Sequence, residues 1–277
     1  MYFTIYTIPI LILFTTNSFT QNVEPPPYDF KKPNIIYSLP DYLEEVSGLS
    51  YYAPFQIAMH DDERGRMYVF DVSTKQVVHR VRFEGKGDFE GIERVGESVY
   101  VVRSDGKLFR FNVNMEGVVE EIKTPFNKKN DVEGIGYDAI EEYLLFALKE
   151  DGDTKGVKVS GKAIYAYHLP TKKFKKIPIY HVSDKDLEKV VGDSFKFKPS
   201  AIAQHPISKH IYVLSSNDQA LLIFNYQTKK PLSLTKLDPR YFPQPEGIAF
   251  MPNGDLFIPN EGKGEGGTLL FFKRKNK

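Results

Sequence analysis

The sequence contains no cysteine and no tryptophan. The absence of cysteine excludes disulfide frameworks, thiolate metal sites and cysteine nucleophiles. A charge excess of one sign is also missing, since 37 Lys and Arg residues stand against 36 Asp and Glu residues. A chain so balanced lacks the strong positive field of a typical nucleic-acid-binding protein. The aromatic residues that are present, 21 Phe and 17 Tyr, occur beside 20 Gly and 18 Pro, which is typical of a β-rich, turn-rich chain.

The apolar run at the start of the chain is short, Ile5 to Phe14, and residues 1–20 carry no charge. This length fits a signal peptide and is too short to span a bilayer comfortably. Because the first basic residue is Lys31, a basic n-region is missing, and a buried strand or an uncleaved anchor is the alternative. We predict a signal peptide over residues 1–20, an extended proline-rich tether over residues 21–33, and an extracytoplasmic protein, periplasmic or secreted.

A short motif recurs through the rest of the chain, with an acidic or polar residue, a small residue, and then Leu or Ile. Its five copies are Val46–Leu49, Phe89–Ile92, Val132–Ile135, Pro199–Ile202 and Pro245–Ile248. The small residue falls at positions 48, 91, 134, 201 and 247, so the intervals are 43, 43, 67 and 46 residues. An interval of about 43 residues has the size of one propeller blade, and the third interval carries an insertion of about 24 residues.

Each interval has the pattern of four strands, as the second one illustrates. Ser98–Arg103 is apolar on both faces, as a strand between neighbouring sheets should be, and Lys107–Val113 alternates with a period of two. The segment after the last motif, Gly247–Lys277, holds sequence for only about three strands, and Asn34–Ser47 supplies about the missing length. We therefore predict a single all-β domain over residues 34–277, a five-bladed β-propeller whose last blade is closed by an N-terminal strand.

One short helix is predicted in the insertion between blades three and four. Ser183 begins a sequence with capping-box character, and Leu187, Val190 and Val191 follow at helical spacing. These features place the helix at roughly 184–191.

The acidic residue of the motif is the strongest indication of function. Glu90, Glu133 and Glu246 occupy the same position in three blades, and on a closed ring equivalent positions point at one central channel. Three carboxylates that face each other repel and resist joint ionisation, and a bound hard cation removes this conflict. Calcium fits best because it accepts about six to eight oxygens in loose geometry. We predict a calcium site at these residues; the alternative is that each Glu only bonds backbone amides where its blade begins.

Other residues with oxygen or nitrogen groups lie near these positions. Ser47 and Ser200 occupy the equivalent position in the other two blades. Four more residues near enough to join the site are Asp88, Asp131, Asn260 and Glu261. No catalytic residue is identified, and the six His residues show no metal spacing. Candidates to assist catalysis, if they reach the channel, are Lys149, Glu150, His60 and Asp61.

The motifs and their flanking residues stay in register in every blade. The strings concerned are Glu45–Ser50, Gly87–Glu93, Asn130–Ile135, Lys198–Pro206, and Gln244–Phe250 with Asn260–Glu261. Together they resemble the SdiA-regulated family over nearly all of the chain after residue 34. The resemblance implies a five-bladed propeller, distantly similar to NHL repeats, with a calcium site. That family has no established biochemical activity, so the resemblance implies a fold and a metal rather than a reaction.

Three functions are compatible with these observations. The first is a calcium-stabilised module outside the cytoplasm that binds an unidentified small molecule or protein at one propeller face. The second is a calcium-dependent hydrolase, such as a lactonase or esterase, because Glu90–Ile92 is similar to strings whose Glu binds a channel metal in gluconolactonase-like propellers. The third is a purely structural role for the ring. We favour the binding module, since no base or nucleophile pattern is visible, and leave open whether the protein is an enzyme. Membrane contact is expected only through an uncleaved N-terminal segment.

Overall fold

The computed structural model describes residues 26–114, 118–183, 185–187 and 197–275. These residues form 21 β-strands in five sheets, a 3-10 turn at Asp41–Leu43 and a short helix at 185–187. Each sheet is one blade of an all-β, five-bladed propeller, as the repeated motif predicts. Within the described ranges, no helix is both long enough and apolar enough to cross a membrane.

The chain enters the ring through strand β1 (Ile35–Ser38) and then builds the first four blades in order. Blade 1 consists of β2 (Val46–Ala53), β3 (Gln56–Asp61), β4 (Arg64–Asp71) and β5 (Gln76–Lys86). Blade 2 consists of β6 (Phe89–Val95), β7 (Ser98–Arg103), β8 (Leu108–Asn112) and β9 (Glu120–Ile122). Blade 3 consists of β10 (Val132–Asp138), β11 (Tyr143–Leu148), β12 (Lys162–His168), β13 (Lys173–Phe174) and β14 (Tyr180–Val182). Blade 4 consists of β15 (Ala201–Gln204), β16 (Ile211–Ser215), β17 (Ala220–Phe224) and β18 (Pro231–Lys236).

Blade 5 combines strands from the two ends of the described chain. Its last three strands are β19 (Ala249–Phe250), β20 (Leu256–Asn260) and β21 (Thr268–Phe272). Strand β1 lies antiparallel to β21, with Ile35 opposite Phe271 and Ser38 opposite Thr268. The sheet order is therefore β1-β21-β20-β19, and the edge of β21 is paired.

The innermost strands of the five blades are β2, β6, β10, β15 and β19, which lie beside one another around the axis. The small residue of the motif is required by how closely these strands approach. A Cβ atom added to Gly91 would stand 2.8 Å from the backbone nitrogen of Ile135, and one on Gly48 would stand 3.0 Å from that of Ile92. The close approach of the strands explains why four blades carry glycine at this position and blade 4 carries alanine, the smallest side chain.

The core lies between neighbouring blades rather than inside a single sheet. Between blades 1 and 2, the rings of Phe83 and Phe111 stack with their centroids 5.0 Å apart, and Phe89 meets Phe83 edge-on at 5.1 Å. The side chain of Phe89 is fully buried. Burial of one such ring contributes roughly 1.5–3 kcal/mol, so strands that are apolar on both faces hold the blades together.

The additional residues of the third interval lie in two places, a connection inside blade 3 and the segment that follows β14. Residues 149–161 form a long connection from β11 to β12, inside blade 3. The outer strand of the same blade is interrupted, because β13 and β14 pair with different parts of β12. The short helix follows β14, with the backbone nitrogen of Asp186 donating to Ser183 Oγ at 3.2 Å. Of the predicted helix at 184–191, residues 185–187 are described as helical, and residues 184 and 188–191 lie outside the described part.

The predicted signal peptide, residues 1–20, also lies outside the described residues. The described part of the predicted tether, residues 26–33, differs from a free linker because two of its aromatic side chains are buried against the ring. Tyr28 donates to the carbonyl oxygen of Gly254 at 2.6 Å and lies 2.9 Å from His205 Nε2, while Phe30 packs on Phe272. These contacts attach the chain to the end of the ring between blades 4 and 5.

Candidate functional site

The two ends of the ring differ, and the motif carboxylates lie at one of them. The acidic face is the end at which the innermost strands begin, marked by Ser47, Glu90, Glu133, Ser200 and Glu246. These residues and the two that follow each of them line the central channel. The free volume of the channel at this end is only ≈ 10 Å³, which is about enough for one water molecule. The channel itself therefore suits an ion or a water molecule rather than an organic ligand.

Glu133 begins the innermost strand of blade 3 and has a direct cationic partner. Lys149, just after β11 of the same blade, places Nζ 2.9 Å from Glu133 Oε1. Burial raises the pKa of Glu133 to about 7 even though Lys149 acts to lower it. Burial alone would lower the pKa of Lys149, but Glu133 and neighbouring carboxylates hold it above its ordinary value. The lysine is therefore charged at neutral pH and stands beside the channel.

Glu90 has no cationic partner among the described residues. The hydroxyl of Ser47 donates to Glu90 Oε2 at 3.3 Å, from the equivalent position of the preceding blade. Burial raises the pKa of Glu90 well above its usual range, and the charges of Glu133, Asp88 and Glu246 add to this. The three motif glutamates therefore act on one another electrostatically, as the repeat predicts.

Glu246 is the third member of this group. Burial raises its pKa, while a hydrogen bond from Ser216 and the charge of Lys149 lower it. Lys149 thus influences both Glu133 and Glu246. Among the ion pairs between described residues, Lys149 with Glu133 is the one that involves a motif carboxylate. The group consequently holds three carboxyl groups and one ammonium group, so joint ionisation of the carboxyl groups would leave an excess of negative charge, which the raised pKa values of Glu90 and Glu133 oppose.

The other predicted neighbours divide into two sets. Asp88 and Asp131 lie close to the group, since they raise the pKa values of Glu90 and Glu133, respectively. Asn260 is instead held at the side of blade 5, where its amide donates to the carbonyl oxygen of Tyr241 at 2.9 Å.

A second set of acidic groups lies between blades 1 and 5 on the acidic face. Burial, together with a hydrogen bond and the charge of Glu45, raises the pKa of Glu261 to about 8. Burial and then Asp61 raise the pKa of Asp62 to about 6. One oxygen of Asp61 and one of Asp62 are buried without a partner among the described residues. Sequence reasoning missed Glu45 and Asp62 because they lie outside the repeated motif.

The candidates for catalysis do not converge on one reacting position. His60 is fully buried against the innermost strand, since a Cβ on Gly48 would stand 2.6 Å from its Nε2. Burial lowers the pKa of His60 to about 4, so the ring is neutral at physiological pH. Glu150 lies at the rim, 2.5 Å from Lys198 Nζ. Lys149 is the member of this group that reaches a channel carboxylate.

The residues at the channel fit a hard cation in donor type and in charge. Carboxyl, hydroxyl and backbone carbonyl oxygens converge there, and the unpartnered oxygens of Asp61 and Asp62 lie on the same face. In their present arrangement, however, the described residues contain no group of three His, Asp or Glu side chains ready to hold one metal ion. A cation would have to replace Lys149 as the partner of Glu133.

Comparison with family models identifies the family to which the chain belongs. The model of the SdiA-regulated family matches residues 36–263. This protein is a member of the SdiA-regulated family. The match spans all five motifs and therefore includes the three glutamates described above. A search of curated protein sequences gives no match.

Solved structures share the fold of this SdiA-regulated protein at low sequence identity. Glutaminyl cyclase from Myxococcus xanthus has a TM-score of 0.60 and 14% identity, with 87% of this chain and 95% of that chain covered. A luciferin-regenerating enzyme has a TM-score of 0.53 and 12% identity, with the same shares covered. An aldose sugar dehydrogenase from Streptomyces coelicolor has a TM-score of 0.50 and 12% identity over 87% of this chain and 99% of that chain. At such identities the likeness shows the propeller fold alone.

Proposed function

We propose that this protein is an exported, calcium-binding β-propeller that acts as a binding module for a small molecule or a protein at the acidic face. The observation that carries the proposal is the convergence of Glu90, Glu133 and Glu246 around a channel with a single lysine partner. Excess carboxylate charge in a desolvated site is stabilised by a divalent cation. Oxygen donors in loose geometry favour calcium over transition metals.

Glu90, Glu133 and Glu246 would hold the ion, and Ser47 would orient Glu90 through its hydroxyl. When bound, the cation would supply positive charge that joins the starts of three blades. Lys149 provides part of this charge without the ion, because its ammonium group already neutralises Glu133. The loops around the channel mouth would then form a rigid surface for a ligand.

The alternative of a calcium-dependent hydrolase has less support from the geometry. The channel volume of ≈ 10 Å³ leaves no space for an ester or lactone beside the carboxylates inside the ring. His60 is fully buried, so it does not meet a substrate on the acidic face. Catalysis would therefore require a substrate above the channel mouth, and this is the arrangement that a search for hydrolase activity should test.

Calorimetric titration of chelator-treated protein with calcium tests the proposal. We expect wild-type protein to bind the ion and Glu133→Gln to bind at least about tenfold more weakly, because a charged ligand is lost. Lys149→Met should bind about tenfold more tightly, since no ammonium group competes for Glu133. Glu150→Gln is the matched control, because Glu150 pairs with Lys198 at the rim, and its affinity should equal that of wild type. Absence of binding by wild type, or equal binding by Glu133→Gln, would contradict the proposal.

A further inference from the structure

The end of the ring opposite the acidic face carries exposed apolar side chains from every blade. We call it the hairpin face, because the turns between the first and second strands of each blade lie there. The exposed large apolar residues on its rim are Ile35, Phe55, Val118, Ile140 and Ile207, in blades 5, 1, 2, 3 and 4, respectively. Within the described ranges, the loops of the acidic face carry no exposed large apolar side chain. The asymmetry therefore belongs to one end of the molecule.

Phe55 is the most informative of these residues. It occupies the turn between β2 and β3 with a φ of 64°, a left-handed conformation that is unfavourable for a bulky residue. Its side chain is 63% exposed, so packing in the core does not compensate for the strain. Glycine or asparagine would suit this turn better. A strained and exposed aromatic residue at a turn indicates a contact outside the ring.

Basic residues accompany the apolar ones on the same face. Four turns of this face place a lysine in the left-handed region, at Lys75, Lys172, Lys209 and Lys229. Lys75 and Lys172 are exposed, whereas Lys209 and Lys229 are half-buried. Lys229 Nζ donates to the hydroxyl of Tyr180 at 3.1 Å. Lys31 and Lys32 are exposed nearby, where the chain joins blade 5. Hydrogen bonds from Ser73 and Thr74 lower the pKa of Asp71, so an ionised carboxylate lies in the same turn as Lys75.

Acidic residues occur in every blade of the hairpin face except blade 4: Asp29 precedes β1, Asp71 ends β4 of blade 1, and Asp255 lies in the first turn of blade 5. Glu97 lies in the first turn of blade 2, and Glu141 and Glu142 lie in the first turn of blade 3. On blades 4, 5 and 1 the exposed lysines still outnumber the acidic residues, so this side is the more basic one and it includes Phe55 and Ile207. The lysines are Lys31, Lys32, Lys75 and Lys230, and the acidic residues are Asp29, Asp71 and Asp255.

The position of the first described residue is a second observation about the hairpin face. Pro26, the first described residue, lies beside His205 and Ile207 on the hairpin face. The uncharged run Ile5–Phe14 precedes it in sequence. The intervening residues 15–25, if fully extended, span at most about 40 Å. A bilayer that holds the apolar run would therefore lie within about 40 Å of this point on the hairpin face.

We propose that the hairpin face docks on an anionic lipid bilayer, with blades 4, 5 and 1 in contact, Phe55 and Ile207 inserted at the interface, and lysines beside the head groups. Apolar side chains at a rim with interspersed lysines are what interfacial binding requires. In this orientation the acidic face and its channel point away from the membrane. The inference does not depend on what the channel binds.

The missing tryptophan allows a direct test on the full-length chain. Phe55→Trp introduces a single tryptophan at the rim, which can be excited selectively beside the 17 Tyr residues, and Lys128→Trp introduces one in an exposed loop of the acidic face as the matched control. With vesicles of phosphatidylcholine and phosphatidylglycerol, we expect emission from Phe55→Trp to shift to shorter wavelength and to be quenched by lipids brominated on the acyl chains. Lys128→Trp should show neither effect. Lys75→Glu in the Phe55→Trp background should weaken vesicle binding by about fivefold or more.

Three results would overturn the proposal. The first is a Phe55→Trp emission spectrum that does not change when vesicles are added, even if the N-terminal run alone holds the chain on the membrane. Equal quenching of both reporters would do so, because the two faces would then be equivalent. A shift that depends on protein concentration without lipid would identify a second copy of the chain as the occupant of this face.

Discussion

The two faces of the ring are built from the same repeat but meet different demands. On the acidic face, five strands begin so close together that glycine or alanine is required, and carboxyl groups are crowded around the axis. On the hairpin face, the strands have separated into turns, and apolar and basic side chains extend into solvent. A propeller thus concentrates charge where its strands converge and displays side chains where its hairpins end. The comparison implies that substitutions should have larger structural effects on the acidic face.

The largest expected difference is between two glycines of blade 2, Gly91 within β6 and Gly96 in the turn that follows β6. Gly91→Ala would place a Cβ 2.8 Å from the backbone nitrogen of Ile135, and we expect a loss of about 1–3 kcal/mol in the free energy of unfolding. Gly96 has a φ of 61° but no atom within 4 Å of an added Cβ, so Gly96→Ala should lose about 1 kcal/mol from backbone strain. Gly85→Ala, in open space without a positive φ, is the control and should be neutral. Urea unfolding measures all three; a loss in Gly96→Ala larger than in Gly91→Ala would contradict the packing argument.

The next largest effect is the pH dependence of stability caused by Glu93, which lies in β6 between the two faces. Burial raises the pKa of Glu93 to about 8, although the hydroxyl of Ser50 donates to it at 3.1 Å and opposes the shift. Because the folded-state pKa is raised above the unfolded value of about 4.3, the folded state binds the proton more tightly. The contribution of Glu93 to stability is therefore complete below about pH 4 and is lost as the pH rises toward about 8.

Glu93→Gln removes this titration while keeping an acceptor for Ser50. We expect the wild-type protein to lose on the order of 2 kcal/mol more than Glu93→Gln between pH 5 and pH 8, in unfolding experiments in the presence of a chelator. Glu97→Gln changes an exposed glutamate on the hairpin face and should follow the wild-type curve. Identical curves for Glu93→Gln and the wild type would show that the carboxyl is not desolvated.

The smallest effect separates strain from contact on the hairpin face. Phe55→Asn should leave the free energy of unfolding unchanged or raise it by about 0.5 kcal/mol, because asparagine tolerates a positive φ better than phenylalanine does. The same change should weaken binding to vesicles. Thermal unfolding in the absence of lipid measures the first effect. A clear loss of stability would mean that Phe55 serves the fold and not an external surface.

The sequence alone predicted the features that repeat. The motif spacing indicated the number of blades, and Glu90, Glu133 and Glu246 were found because each recurs at one position of the repeat. Tertiary contacts between unrelated positions were not predictable in this way. The ion pair of Lys149 with Glu133 joins two strands of one blade, and only the register of β10 against β11 reveals it.

Features carried by turns escaped prediction for a similar reason. Phe55, Ile140 and Ile207 occupy turns of different length and sequence, so no common string marks them as one surface. Their shared location follows from the antiparallel order of each blade, which brings all first turns to one end. For the predicted tether over residues 21–33, proline-rich composition indicates an extended chain but not where its aromatic side chains pack. Tyr28 and Phe30 lie against the ring, which composition does not specify.

The most direct test of the central claim is a crystal structure grown with calcium, with anomalous scattering recorded at long wavelength. The account predicts an anomalous peak in the channel within about 2.6 Å of carboxylate oxygens of Glu90, Glu133 and Glu246, and Lys149 Nζ displaced from Glu133. A channel without a peak, in which Lys149 still pairs with Glu133, would contradict it. The repeated glutamates would then serve only to join the blades, with the lysine as their permanent counter-ion.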